Sequence, residues 1–394
     1  MTNPFHLNLL TLEGTPREIG RAHGEGLRTT IQEFFQKQTT GLEAYLKMTY
    51  TAYLDMLFEE TRFLQAAERW TPDLVEEVRG IAEGSKLDFR AMFAFQLLDE
   101  EDWYISQKTM GLYEVDTNKC SVLGAYGSMA NPNIIAQNAD MGKPVDGYGT
   151  LLHIKYTHTG FEKVVATIPG VIGIWGLNNK SIGVCLTAMT IHMKKSYRGL
   201  GTIFIAQGIL SKRKFDEADQ FIQAVPHASG ENYTIGSPQM VMDYECSANK
   251  VNRYIPFIGA NVVYHTNHPI DNDDLDLTAE KVNLLSPELQ TYVARAQQNT
   301  DMRFDSIEKR MKNLETPVTV EKAKEILSSH DTQDDPVCRH KRDDQNGMTN
   351  FSMVMELQEN PRFHIASGPP CMTEFREFNF RDGFGKWNQG DHHE

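Results

Sequence analysis

The stretch Asn118-Lys119-Cys120-Ser121-Val122-Leu123-Gly124-Ala125 divides the chain. Before it, apolar residues recur at helical spacing. After it come short apolar runs closed by turn residues, the pattern of strands. Cys120 opens the strand-rich part. The next run, Ile134-Ile135-Ala136-Gln137-Asn138-Ala139-Asp140, passes from apolar to polar. A thiol at the start of one strand and an Asn-x-Asp at the end of the next can meet across a hairpin.

The rest of the chain sets the bounds. At 394 residues it can bury a core the size of one large domain or two ordinary ones. A 40% hydrophobic and 23% charged composition is that of a soluble globular protein. No apolar run is long enough for a membrane span, and Met1–His6 shows no signal-peptide pattern. Five scattered cysteines make neither a disulfide framework nor a Cys-x-x-Cys pair, so the expected setting is reducing and cytoplasmic. A formal charge of -14 argues against nucleic acid as a partner and mildly against polyanionic substrates. No cofactor is implied, and a homo-oligomer stays open.

In order, residues 7–13 read as a short strand and the first 119 residues are otherwise mostly helical. Gly20 and Gly24, four apart, either admit a neighbouring backbone or merely weaken a helix start. Thr71 and Asp88 are expected helix caps, as is Thr319 ahead of a helix over 320–328. Strands are expected at 122–125, 134–137, 151–156, 164–168, 181–187, 233–235, 240–244, 261–264, 353–356 and 363–366. Helices are expected at 204–210, 216–224 and 304–313, with turns at Pro169-Gly170 and Gly176–Asn179. No linker separates residues 1–119 from 120–394, so both belong to one compact domain.

Cys120 carries the main chemical case. Its thiol can attack the carbonyl of Lys119 through a five-membered ring, and hydrolysis of the resulting thioester frees the Cys120 amine. An α-amine of pKa about 7.7–8.0 can take the proton of a thiol of pKa about 8.5, so no histidine is needed. The ordinary alternative is a buried, inert cysteine. Asp140 could orient that amine, or be a turn residue before Gly142. Asn138 could support the same turn. Asn267, after the apolar run ending at Tyr264, could donate an amide N–H to an oxyanion, or again be a turn residue. His265 and His268 with Asp271, Asp273 or Asp274 form a weaker metal alternative, which Pro269 opposes; no metal site is assigned. Ser306 and Arg310 share a helix face, with Arg303 an equal candidate for a substrate-facing guanidinium. Cys338-Arg339-His340 reads as structural, since residues two apart face each other only in an extended segment.

Taken together, Gly20–Gly24, Cys120-Ser121, Gln137–Asp140, Gly173–Asn178, Ser181–Val184, Glu231–Tyr233, His265–His268, Ser306 with Arg310, Cys338–His340 and Ala366–Cys371 resemble the acyl-coenzyme A:6-aminopenicillanic acid acyltransferase family. The resemblance implies an α+β fold, the four-layer αββα sandwich of N-terminal-nucleophile hydrolases. It also implies a precursor cut between Lys119 and Cys120, which would release residues 1–119 as a small chain. By the family pattern Cys120 is the nucleophile, Asp140 contacts its amine and Asn267 helps form the oxyanion hole. Asn138, Ser121, Arg303, Ser306 and Arg310 support or bind substrate. Relatives usually carry Gly where this chain has Lys119, and often Asn where it has Leu186–Thr190.

The expected activity is cleavage or transfer of the acyl group of a small N-acyl amine or N-acyl amino acid. Its rivals are CoA-dependent acyl transfer, an uncut enzyme pairing Cys120 with His265 or His268, and a non-catalytic binding protein on the same scaffold.

Overall fold

In a computed structural model, the structure describes residues 7–109, 119–128, 131–257, 259–312, 314, 317–342, 347–385 and 387. Asn118, Asn313, Thr316 and Met1–His6, on which sequence expectations also fell, lie outside them. Fourteen strands build two sheets. They are β1 (Asn8–Gly14), β2 (Ser121–Ala125), β3 (Asn133–Gly142), β4 (Thr150–Tyr156), β5 (Phe161–Thr167), β6 (Trp175–Asn178) and β7 (Gly183–Ala188). Then follow β8 (Glu231–Gly236), β9 (Val241–Cys246), β10 (Val251–Tyr254), β11 (Val262–His265), β12 (Gly347–Leu357), β13 (Arg362–Ala366) and β14 (Arg376–Asn379). The larger sheet runs β1-β4-β5-β6-β7-β8-β9-β10 and the smaller β11-β2-β3-β12-β13-β14.

The two sheets stack, with β2 and β3 facing β7 and β8. Strand alternation makes this possible. On β3, Ile135 and Ala139 join the core between the sheets, while Ile134 and Ala136 turn to a second core under helices. Gln137 crosses the inter-sheet core to exchange hydrogen bonds with the Leu186 backbone at 2.6 and 2.9 Å, so this buried amide is satisfied on both atoms.

Helices cover both outer faces. The first seven are α1 (Pro16–Gly26), α2 (Arg28–Leu46), α3 (Tyr50–Glu60), α4 (Phe63–Trp70), α5 (Pro72–Ser85), α6 (Phe89–Ala94) and α7 (Leu98–Thr109). With α8 (Thr202–Leu210) and α9 (Phe215–Ala224) they form the layer on the larger sheet. After α10 (Ala279–Val282), α11 (Pro287–Lys312) and α12 (Val320–Leu327) cover the smaller one. The order is helix, sheet, sheet, helix, the expected αββα sandwich. The helical first segment is not a separate body, because β1 pairs in parallel with β4 at the sheet edge.

Gly20 and Gly24 do admit a backbone. A Cβ on Gly20 would lie 1.8 Å from the Glu77 carbonyl oxygen, and one on Gly84 2.2 Å from that of Arg21. Hence α1 and α5 interlock through glycines of both helices.

Asp88 and Thr319 cap their helices, accepting from Ala91 and Lys322. Thr71 does not; its hydroxyl donates to Ala67 in the preceding helix. The turn expected at Gly176–Asn179 is instead mostly β6, where Gly176 lets the strand approach Val164. β3 extends to Gly142, so Asn138 and Asp140 are strand residues rather than turn residues. The long α11 begins well before residue 304, and β10 and β14 carried too little alternation to be anticipated.

Candidate active site

Cys120 sits just before β2, buried and 5% exposed. β2 pairs antiparallel with β3, Ser121 opposite Asn138, and the Lys119 N–H donates to the Asp140 carbonyl at 3.3 Å. The hairpin relation therefore holds. Burial, then the negative charge of Asp140, pushes the Cys120 thiol up to about 12; a backbone hydrogen bond from Asp140 and the Arg303 charge act in the opposite direction. In the uncut chain this thiol is neutral and needs a base.

Asp140 is itself buried, and burial raises its carboxyl to about 6 against the pull of Arg339, Arg303 and the Thr349 hydroxyl. Thr349 lies opposite it on β12 and donates to Oδ1 at 2.7 Å. Oδ2 accepts no hydrogen bond among the described residues and is 3.7 Å from Nη1 of Arg339.

Arg303 joins the parts. Fully buried on α11, its Nη1 donates to the Cys120 carbonyl and, at 3.0 Å, to Ser121 Oγ. Nη2 donates to Asn267 Oδ1 at 2.8 Å and Nε to Asn299 Oδ1 at 3.0 Å. Burial lowers its pKa to about 10, so it stays a cation at neutral pH. With its oxygen engaged, the Asn267 amide presents Nδ2, which donates to the Ala188 carbonyl at 2.9 Å and keeps a second N–H.

Asn267, Arg303 and Lys119 line one end of a cavity of about 400 Å³. Leu289, Val293, Ala296, Thr300 and Arg303 of α11 follow one another at helical spacing along its wall, an apolar stripe ending in the guanidinium. Ala188, Met189, Thr190 and Ile191 supply the opposite side, so the segment where relatives often have Asn forms cavity wall. Cys120 does not line the cavity. Lys119 does, one residue in front of it.

Ser306 and Arg310 are not brought here. They share a helix face as expected, but both bind Asp331, Ser306 Oγ at 2.6 Å and Arg310 Nη2 at 2.7 Å. Asn138 donates to the carbonyls of Leu327 and Val337 at 2.8 and 2.9 Å, fastening the connection after α12. His265 is held by Glu245 at 2.8 Å, and although burial opposes it this partner raises its pKa. His268 binds Thr300 at 3.0 Å, with burial lowering its pKa to about 3. Neither the histidine-paired cysteine nor a metal on these two histidines gains support from such partners.

Sequence reasoning missed Arg339, Thr349 and Glu231. Arg339 was set aside with its neighbours, and Thr349 has no local signal. Glu231 is buried at the start of β8, its carboxylate oxygens without a hydrogen bond among the described residues. Burial, then Asp99 and Glu100, raise it well above the carboxylate range, holding it protonated at neutral pH.

Comparison with known proteins gives three findings. Residues 129–368, more than half of the chain, match the family model described as Acyl-coenzyme A:6-aminopenicillanic acid acyl-transferase. The matched stretch begins after Cys120. The acyl-coenzyme A:6-aminopenicillanic-acid-acyltransferase 40 kDa form of Emericella nidulans is 22% identical over 272 residues, covering 67% of this chain and 70% of that protein. Among solved structures, a variant of conjugated bile acid hydrolase from Clostridium perfringens aligns with a TM-score of 0.44 at 12% identity, over 66% of this chain and 97% of that one. Penicillin V acylase from Agrobacterium tumefaciens aligns with a TM-score of 0.38 at 13% identity, over 68% and 80%.

Proposed function

Because the chain belongs to the acyl-coenzyme A:6-aminopenicillanic acid acyl-transferase family, we propose that it is a self-processing cysteine amidohydrolase or acyltransferase acting on a small N-acyl amine or N-acyl amino acid. The observation that carries this is the position of Cys120. It heads β2 beside Asp140, its carbonyl held by the same arginine that orients Asn267 at the end of an apolar cavity.

Processing begins with the Cys120 thiol attacking the Lys119 carbonyl. The peptide nitrogen leaves as the Cys120 amine and Lys119 becomes a thioester, which water hydrolyses. Lys119 lines the cavity in front of Cys120, so the uncut chain shields its own nucleophile. Cleavage releases that wall and supplies the base at once.

In turnover the α-amine takes the thiol proton and the thiolate attacks the substrate carbonyl. The remaining Asn267 N–H faces the developing oxyanion, a donor type worth about 10²–10³ in rate. The amine then protonates the leaving nitrogen, and water or a second amine takes the acyl group. Asp140, ionised above about pH 6, sits where it can hold the ammonium form. The apolar stripe of α11 suits the acyl chain. Hydrolysis is favoured over transfer from coenzyme A, since a net charge of -14 does not attract an anionic carrier.

The test is the intact mass of wild-type protein beside Cys120→Ala under denaturing conditions. Wild type in two pieces meeting at Lys119/Cys120, with the variant whole, supports the reading. An uncut wild-type chain that still turns over amides would overturn self-processing.

A further inference from the structure

Sequence spacing alone did not join His330, Cys338, His340 and Cys371. The fold does. Their ligating atoms all lie within 4.8 Å of one another. Cys338 and Cys371 sulfurs are 3.5 Å apart, His340 Nε2 is 3.0 Å from Cys371 Sγ, and the two histidine Nε2 atoms are 3.1 Å apart. Both cysteines are free thiols, Cys338 buried and Cys371 exposed.

These separations approach the edges of a zinc tetrahedron. Zn–S bonds of about 2.3 Å and Zn–N bonds of about 2.0–2.1 Å place two sulfurs about 3.8 Å apart and two nitrogens about 3.4 Å apart. The cluster needs to open by only a few tenths of an ångström. Two nitrogens facing each other and two sulfurs facing each other are poor hydrogen-bonding arrangements, whereas a Cys₂His₂ donor set matches a borderline-soft cation. Residues 338 and 340 reach the same point because the connection between α12 and β12 is not helical there, so the expectation that they would diverge is corrected.

We propose that these four side chains bind one zinc ion in a closed, structural site. It is distinct from the cavity at Cys120 and independent of the function proposed above. All four positions are filled by protein, so the ion has no open position for catalysis. It would staple the connection after α12 to the one after β13. That connection carries Arg339, whose backbone N–H donates to Thr349 Oγ1 at 3.0 Å and whose carbonyl accepts from the Thr349 N–H at 3.1 Å. Thr349 in turn binds Asp140. The ion thereby fixes the segment that sets the Asp140 environment.

The experiment is elemental analysis of the untagged, full-length protein purified without chelator and supplied with zinc, beside Cys371→Ser. Cys371 is exposed, so this variant tests the ligand with little cost to the core. One zinc per chain in wild type and loss of it in the variant are expected. Wild-type protein loaded with cobalt(II) instead should show a thiolate-to-cobalt charge-transfer band and tetrahedral ligand-field bands, which covers the case of a variant that folds poorly. Absence of stoichiometric metal in wild type, or undiminished metal in Cys371→Ser, overturns the site. So does a Cys338–Cys371 disulfide in the non-reduced protein.

Discussion

Arg303 and Asn267 are one device: the guanidinium Nη2 donates to the amide oxygen at 2.8 Å and thereby fixes which way the amide faces. A free asparagine could present either atom to an oxyanion, and only the nitrogen would help. The same arginine holds the Cys120 carbonyl, so nucleophile and oxyanion donor share one anchor. Asn267→Ala is expected to lower kcat by about 10²–10³ with a small change in KM, in steady-state assays of processed protein. Arg303→Lys keeps the charge but cannot span both partners and should impair turnover in parallel with Asn267→Ala. Full activity in Arg303→Lys would refute the anchoring role.

The carboxyl of Asp140 sets an acid limb. Held at about 6, it is protonated below that pH, and kcat/KM should fall as pH drops through about 6. The Thr349 hydroxyl favours the ionised form, so Thr349→Val should move the limb to higher pH and Thr349→Ser should restore it. An unmoved limb in Thr349→Val would exclude Asp140 as its source.

The same group affects stability. Its folded pKa of about 6 lies above the ordinary 3.8, so between these values the folded chain holds a proton that the unfolded chain has lost. Its contribution is therefore fully present below about 3.8 and declines as pH rises through about 6. Denaturant unfolding of Cys120→Ala against Cys120→Ala/Asp140→Asn should show this slope in the first protein and its loss in the second.

Where α1 meets α5, substitution has little room. Gly20→Ala places a methyl carbon 1.8 Å from a backbone oxygen that no rotamer change can move. A cost of roughly 3 kcal/mol is expected, the upper end for overpacking, read as a lowered denaturant midpoint. Gly41, with nothing within 4 Å of its added Cβ, provides the contrast: Gly41→Ala should be neutral or stabilising.

Acyl-chain preference tests the α11 stripe. If the acyl group lies along Leu289, Val293 and Ala296, each added methylene should raise kcat/KM about fourfold, from about 0.8 kcal/mol per buried CH₂, until the cavity fills. Ala296→Phe should move that break to shorter chains. A chain-length profile unchanged by Ala296→Phe would place the acyl group elsewhere.

Sequence reading came furthest where the signal is local. The polar end of β3, the apolar run before Asn267 and the two glycines of α1 could each be read from a few neighbouring residues. β6 was misread because glycine and asparagine in its core look like a turn, although Gly176 is there to let β5 come close. The N-terminal half of α11 was missed because its apolar face lines a cavity, leaving a sparse stripe where a core helix would show a dense one.

The sequence by itself determined the alternation of strands and helices and the place of Cys120 at the change between them. These follow from side-chain periodicity, which repeats over two or about four residues and needs no partner. Only the tertiary structure decided that Arg303, rather than Arg310, reaches Cys120, and that Thr349 and Arg339 surround Asp140. It alone gathered His330, Cys338, His340 and Cys371. Those groups come together through the pairing of β2, β3 and β12 and the packing of α11 on them, contacts between residues up to 209 positions apart. No local pattern encodes a neighbour that distant.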